Sequence, residues 1–211
     1  TGIDLPGESC GIMFDYKNFH ELEQATVAFG QGISVTPLQL VTAICACVNG
    51  GYLLQPHILK EISNSSNNEI VEQVKKKVKR HVIKEETSKK VRDALESVVT
   101  DGGGRNAYID GYRIGGKTGT AQKAVNGSYV GSGYILSFVG VAPIDDPQIV
   151  LYVAMDNPKN CIQYGGTTVA PIARKMFVDI LPEKKKKKVK SQRQKSYSIM
   201  DKRTIKVENY I

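Results

Sequence analysis

The chain has 211 residues, 41% of them hydrophobic, and a formal net charge of +8. This length and apolar content allow one sizeable core, and no apolar run approaches the ~18 residues that a membrane-spanning helix needs. Most of the excess charge lies in the basic run 184–190 and its neighbours, which is typical of a solvated linker, so we expect no nucleic acid partner. Four scattered cysteines predict neither a disulfide framework nor a metal site, but small buried hydrophobes.

The first fifty residues predict two helices. A short helix covers residues 21–28 and is followed by a glycine turn. The second helix has stronger signals, because Thr36 can act as the N-cap, Pro37 suits the first helical position and Gln39 lies three residues after the cap. The Asn49-Gly50-Gly51 sequence predicts its end.

A strand-rich excursion is predicted next. Residues 52–62 read as one strand leading out of the core, and a polar turn separates them from residues 69–82, whose alternating, heavily basic pattern predicts an exposed hairpin. A helix follows, with Thr87 or Ser88 as its cap, and the glycines after Asp101 end it.

The second half of the chain predicts a sheet and a last helix. Three strands are predicted, over residues 112–122, 136–142 and 149–155. A turn at residues 145–148 makes the last two an antiparallel hairpin. Thr167 or Thr168 starts an amphipathic helix that Pro182 ends.

Residues 111–120 carry one lysine and two threonines among four glycines, a composition suited to contact with a ligand. The literal pattern G-x-x-x-x-G-K-T matches a phosphate-binding loop, but that loop requires a parallel sheet and a helix directly after Lys117-Thr118. The segment that follows is not an amphipathic helix. The K-T-G box of serine acyl-transferring enzymes, which lies on a strand lining the active site, fits the flanking sequence better.

Further blocks extend the match. They are Thr1–Glu8, Phe29–Gln39, Asn49-Gly-Gly-Tyr52 with Pro56-His-Ile58, the box itself, Ser137–Pro143, and Tyr164-Gly-Gly166 with Ala170-Pro171. In this order the chain resembles the C-terminal half of the transpeptidase domain of class B penicillin-binding proteins, most nearly the sporulation-type members that are like stage V sporulation protein D. The resemblance covers about the first 180 residues.

This resemblance implies an α/β (α+β) fold of the penicillin-binding and serine β-lactamase type. An antiparallel sheet is packed by helices, and the N-terminal strands and the nucleophile helix of the fold are missing. The implied activity is peptidoglycan D,D-transpeptidation through a serine acyl-enzyme, with D-Ala-D-Ala stem peptides and β-lactams as ligands. No cofactor or metal is implied.

The residues of the box suggest how each would act. Lys117 is a compact cation that can hydrogen-bond hydroxyls and stabilise an anion, Thr118 and Thr120 offer hydroxyls to a carboxylate, and Gly119 permits a peptide to pair with the strand. By resemblance, the Thr120 backbone N–H is an oxyanion donor and Gln122 contacts substrate. The other reading of Lys117 is a solvated lysine at a strand edge.

No serine in the chain has a lysine three residues later, so the S-x-x-K nucleophile of the family is expected upstream of Thr1, with the S-x-N loop. Ser65-Ser66-Asn67 fits S-x-N formally, but lies in a polar turn. The resemblance also implies an upstream membrane anchor, an extracytoplasmic location, and cell-wall machinery of division or sporulation as partners. Glu8 is expected to be a structural carboxylate.

Three regions are expected: residues 1–182 as the domain, 183–203 as a disordered basic linker, and 204–211 as a scrap that weakly resembles the opening of a PASTA repeat. With the missing N-terminal half as its natural partner, the isolated sheet would expose residues 136–142 or 149–155 as an apolar edge and self-associate. Two other functions stay open, a nucleotide-binding domain and a non-catalytic penicillin-recognition domain.

Overall fold

The computed structural model describes residues 1–15, 17, 19–28, 30, 32–123 and 133–193, with only the backbone over 183–193. The helices are α1 Glu21–Val27, α2 Pro37–Val48, α3 Glu85–Thr100, α4 Gly165–Thr168 and α5 Ala170–Arg193. The strands are β1 Tyr52–Leu54, β2 Glu61–Ser63, β3 Ile70–Gln73, β4 Val78–His81, β5 Gly115–Gln122, β6 Tyr134–Ala142 and β7 Ile149–Asp156. A 3₁₀ turn covers Arg105–Ala107.

The central sheet has the order β5-β6-β7 and is antiparallel throughout. Its β6 strand is apolar along nearly its whole length because helices cover both faces of the sheet. Successive side chains alternate between those faces, so Phe138 packs into the cluster that contains Phe177 of α5, while Val141 packs beside Val48 of α2. The predicted α+β architecture with an antiparallel sheet packed by helices is confirmed.

The cap of α2 is confirmed in atomic detail. The Thr36 hydroxyl accepts from the Gln39 backbone N–H at 3.1 Å, and the Thr36 backbone N–H donates to the Gln39 side chain at 2.9 Å. Asn49 is the C-cap, as predicted. The Gln39 amide also donates to the Cys10 carbonyl, which ties the N-terminal loop to this helix.

The predicted single strand over residues 52–62 is wrong, because two short strands lie there. β1 pairs with β4 and β2 pairs with β3, each antiparallel, and Pro56 lies in the irregular segment between β1 and β2. Residues 52–81 therefore form two successive two-stranded antiparallel sheets. The predicted exposure of residues 69–82 is confirmed for β3 and β4, whose residues are all exposed, but these two strands do not form a hairpin with each other.

The predicted start of α3 at Thr87 or Ser88 is also wrong, since the N-cap is Lys84. Ser88 is fully buried inside the first turns, where its hydroxyl accepts from the Gly50 backbone N–H at 3.1 Å and from Arg92 at 3.2 Å. The Ser88 hydroxyl therefore links the end of α2 to α3 and does not cap a helix.

Two boundaries in the second half differ from the prediction. β5 begins at Gly115 and not near Tyr112, because Tyr112 forms an isolated bridge with Ile109 across a turn. The last helical region begins earlier, at Gly165.

Pro182 does not end the last helix, because α5 continues to Arg193. Proline removes one backbone donor, but the lysines that follow it are good helix formers. The disordered basic linker expected over residues 183–203 stays a prediction. The boundary at residue 182 stays a prediction, and the PASTA-like residues 204–211 lie outside the described residues, as does most of the glycine- and serine-rich loop before β6. No described helix is long and apolar enough to cross a membrane.

Candidate functional site

Lys117 lies in the middle of β5 with its side chain exposed. Its ammonium donates to the Thr118 carbonyl oxygen at 2.8 Å, and no carboxylate of the described residues lies within salt-bridge distance of it. An ammonium has three donors, so two remain for a ligand. In the described part of the chain β5 pairs only with β6, which leaves its other edge open beside this cation.

The other predicted site residues are distributed over both faces of β5. Side chains alternate along a strand, so Thr118, Thr120 and Gln122 share one face while Lys117 and Gly119 share the other. A ligand resting on one face alone would meet either the cation or the hydroxyls. A ligand lying along the open edge can meet both sets, which is the geometry of a peptide that pairs with an edge strand.

Gly165 is a neighbour of the site that was not predicted as a site residue. Its backbone N–H donates to the Thr120 hydroxyl at 3.3 Å, and a side chain there would place its Cβ 2.5 Å from the Ser137 carbonyl oxygen and 2.6 Å from that of Gly119. The first residue of α4 is therefore packed directly on the backbones of β5 and β6. The signal available in the sequence was the Gly-Gly pair after Tyr164.

The sequence predicted that all four glycines around Lys117 allow contact with a ligand, but the structure gives them different roles. A Cβ on Gly115 would lie 2.5 Å from the Ile144 side chain, and one on Gly116 would lie 2.4 Å from the Phe138 ring. Both glycines are buried by packing. Gly111 has a φ of +76° in the turn before β5, so of the four only Gly119 lies on the accessible part of the strand beside Lys117.

The phosphate-loop interpretation is wrong. Lys117 and Thr118 lie inside a strand, not between a strand and a helix, and the sheet around them is antiparallel. A phosphate-binding loop needs consecutive backbone N–H groups turned toward the ligand at the start of a helix. An extended strand cannot provide that arrangement.

Two other candidate groups have purely local roles. Ser66 and Asn67 form the turn between β2 and β3, where the Ser66 N–H donates to the Asn64 side chain and Asn67 donates to Glu69. Glu8 accepts from the Gly2 N–H at 2.8 Å and from the Thr1 hydroxyl. These contacts lie within one loop, which agrees with the expected role of Glu8 as a structural carboxylate.

Cys45 and Cys47 in α2 are unreactive thiols. Burial raises the pKa of Cys45 to about 12 and also raises the pKa of Cys47, so both stay protonated thiols. Cys47 packs beside Val48 in the smaller core cluster. The predicted role as small buried hydrophobes agrees with the half-buried positions of Cys45 and Cys47, but it is wrong for Cys10, which is exposed.

Comparisons with known proteins agree with the geometry. The family model described as the penicillin binding protein transpeptidase domain matches residues 1–177. The chain is 52% identical over its whole length to Stage V sporulation protein D of Bacillus subtilis, of which it covers 33%. Over 82% of the chain it is 36% identical to the probable peptidoglycan D,D-transpeptidase PenA of Neisseria flavescens, of which it covers 40%.

Solved structures give the same result. The apo transpeptidase domain of Burkholderia pseudomallei penicillin-binding protein 3 superposes with a TM-score of 0.73 and 35% identity, over 86% of this chain and 52% of that one. Penicillin-binding protein 3 of Mycobacterium tuberculosis complexed with aztreonam superposes with a TM-score of 0.76 and 30% identity. The match covers 87% of this chain and 43% of that one. The chain thus spans between a third and two fifths of the length of the first two relatives, and it belongs to the penicillin-binding protein transpeptidase domain family.

Proposed function

We propose that this chain provides one wall of the active site of a peptidoglycan D,D-transpeptidase. The observation that carries the proposal is the exposed Lys117 ammonium at the open edge of β5, with no carboxylate partner in the described residues and hydroxyls on either side of Gly119. The names of the relatives, which include probable peptidoglycan D,D-transpeptidases, support this reaction class. The substrate is a stem peptide that ends in D-Ala-D-Ala, and β-lactams acylate the same site.

Each residue of the box has a part in this proposal. The stem peptide lies along the open edge of β5, where Lys117 and the Thr118 and Thr120 hydroxyls hold its terminal carboxylate. Lys117 also polarises a serine hydroxyl across the cleft. The Thr120 backbone N–H stabilises the developing oxyanion, and Gln122 contacts the substrate.

The nucleophile in this mechanism is a serine that these 211 residues do not contain. Its oxygen attacks the carbonyl of the penultimate D-Ala, the terminal D-Ala leaves with a proton, and the amine of a neighbouring stem then displaces the serine. The absence of any S-x-x-K sequence supports this assignment. On its own, the chain is then half of an active site.

The cellular setting follows from the substrate. Stem peptides are cross-linked outside the membrane, so we place the domain on the extracytoplasmic face, held by an anchor supplied elsewhere in the protein. Its partners are the cell-wall machinery of sporulation or division. The identity to a stage V sporulation protein supports the sporulation setting.

Fluorescent penicillin labelling tests the role of Lys117 in a longer protein that joins this chain to S-x-x-K. Lys117→Ala should lower the acylation rate by ~10²-fold or more, since an active-site charge-assisted contact stabilises the transition state by about 3 kcal/mol. Lys117→Arg should restore only part of the rate, because a planar guanidinium replaces a compact ammonium.

Lys123→Ala is the matched control. Lys123 directly follows β5 and lies on the same side of the chain as Lys117, but its ammonium is paired with Asp156 at 2.6 Å. Its removal should change the rate less than threefold, about 0.6 kcal/mol. Equal losses for the two alanine variants would contradict a specific role for Lys117. Turnover of a stem peptide would separate a transpeptidase from a non-catalytic penicillin-recognition domain.

The 211-residue chain itself gives a second test. Incubated with penicillin, it should form no stoichiometric covalent adduct, because no serine in it is paired with an activating lysine. Intact-mass spectrometry measures this directly. An adduct mapped to any serine of the chain would place the nucleophile inside it and refute the proposed division of the site.

A further inference from the structure

A second concave region lies away from Lys117, where the end of α3, the 3₁₀ turn and the start of α5 meet. The cleft has a volume of about 730 Å³. Its lining residues are Thr100, Arg105, Asn106, Tyr108, Pro171 and Arg174. None of them belongs to β5, and the proposed transpeptidase mechanism uses none of them.

Two guanidinium groups line this cleft without carboxylate partners. Arg174 donates through Nε to the Tyr108 carbonyl oxygen at 2.8 Å, and Arg105 makes a single long contact, 3.5 Å, to the Asp101 carbonyl oxygen. No described carboxylate forms a salt bridge with either of them. A guanidinium has five N–H donors, so most of the donors on both side chains remain available.

The position of Arg174 is fixed by the fold. Its Nε contact orients the guanidinium against the backbone of Tyr108, and neither terminal nitrogen has a hydrogen-bond partner among the described residues. A side chain that is already ordered loses less conformational entropy on binding than a free surface lysine does.

The rest of the wall combines polar groups with the apolar surfaces of Pro171 and the Tyr108 ring. The Asn106 amide donates to the Gly166 carbonyl oxygen at 2.9 Å, and the Thr100 hydroxyl is bonded to the Asp101 carboxylate at 2.6 Å. Tyr108 is 47% exposed and presents part of its ring at the cleft. Two cations, an amide and an aromatic ring in one depression suit a polar anionic ligand, whose oxyanion would make paired hydrogen bonds with the arginines.

We propose that the cleft between Arg105 and Arg174 is a binding site for an oxyanion, the phosphate or carboxylate group of a larger polar ligand. This site is independent of the Lys117 site and of the proposed function.

The test uses the 211-residue chain labelled with ¹⁵N-arginine and titrated with inorganic phosphate or with acetate, at constant ionic strength so that screening stays the same. The Nε–H resonances of Arg105 and Arg174 should shift with one common, saturable midpoint. Saturation with phosphate alone assigns a phosphate ligand, and saturation with acetate alone assigns a carboxylate. Saturation with both supports the shared chemistry, and saturation with neither overturns the proposal.

Arg105→Gln is the informative variant, because its one long contact makes it dispensable for folding, which far-UV circular dichroism checks. Arg105→Gln should raise the midpoint concentration of the anion titration at least tenfold, because a charge-assisted hydrogen-bond pair is lost. Lys175→Ala, an exposed lysine next to Arg174, should change it less than twofold. Equal effects of the two variants would mean general charge attraction and would refute a built site.

Discussion

Gly165 packs directly on the strands that carry the proposed site, and its backbone N–H donates to the Thr120 hydroxyl. Because the atoms that a Cβ would meet belong to the backbones of Ser137 and Gly119, they cannot rotate away. Gly165→Ala should therefore push α4 from β5, weaken the contact to Thr120 and lower penicillin acylation of the longer protein. Overpacking of this kind destabilises by about 1–3 kcal/mol.

The measurement for Gly165→Ala is the labelling rate together with the melting temperature. Thr167→Ala is the control, since Thr167 is exposed on the same short helix. It should leave both quantities nearly unchanged. Wild-type labelling by a folded Gly165→Ala protein would show that the position of α4 does not matter to the site.

At the residue scale, the site roles of Lys117, Thr118 and Thr120 stay predictions, and the structure bears only on where these residues lie, which is along the open edge strand β5. The glycines were harder to interpret from the sequence. Gly115 and Gly116 could not be separated from ligand-facing glycines, since the reason for them is the position of Phe138 and Ile144 in the folded core. That information is absent from the local sequence.

At the scale of elements, an ion pair ties α3 to the segment that enters β5. Arg113 donates to both carboxylate oxygens of Glu96, at 2.7 Å through Nε and 2.6 Å through a terminal nitrogen. Its backbone carbonyl also accepts from the Ile144 N–H. The hydrogen bonds from Arg113 lower the pKa of Glu96 below its usual 4.5.

The sign of the pH effect follows from that lowered pKa. The stabilisation by Glu96 is present in full above its unfolded pKa and is lost as the pH falls through the lower, folded value. Glu96→Gln should therefore reduce the free energy of unfolding at pH 7, by up to about 1 kcal/mol for a partly exposed pair. The difference from wild type should shrink toward pH 3, as urea unfolding would measure.

Glu86→Gln serves as the control for this pair. Glu86 and Lys90 are both more than 70% exposed, and their pair should contribute only a few tenths of a kcal/mol. A Glu96→Gln effect no larger than that, or one that grows as the pH falls, would contradict the proposed link between α3 and β5.

Elements were predictable where their signals are local. The cap of α2 is encoded within four residues, from Thr36 to Gln39, and it was predicted correctly. The division of residues 52–62 into β1 and β2 depends on the strand with which each one pairs. The buried position of Ser88 depends on its hydrogen bond with Gly50, which is distant in sequence. Such pairings across the fold leave no short pattern in the sequence.

At the scale of the whole molecule, the three-stranded sheet has two edges in the described residues, β5 and β7. The sequence predicted an exposed edge on residues 136–142 or 149–155. The first of these is wrong, because β6 is paired on both sides. The second stays a candidate, with β7 half-buried along Ile149–Val153 and unpaired on its outer side in this part of the chain.

An unpaired apolar strand edge is a template for another strand, so the isolated chain should self-associate through β7. Ala154→Lys places a charge at an exposed position of that strand and should shift the sedimentation-velocity distribution toward monomer. Thr87→Lys adds the same charge at an exposed position of α3 and should leave association unchanged, which separates protection of the strand edge from an effect of net charge.

If the unmodified chain sediments as a monomer at every concentration, β7 is not a pairing edge. If both lysine variants dissociate it equally, the association depends on charge and not on the strand.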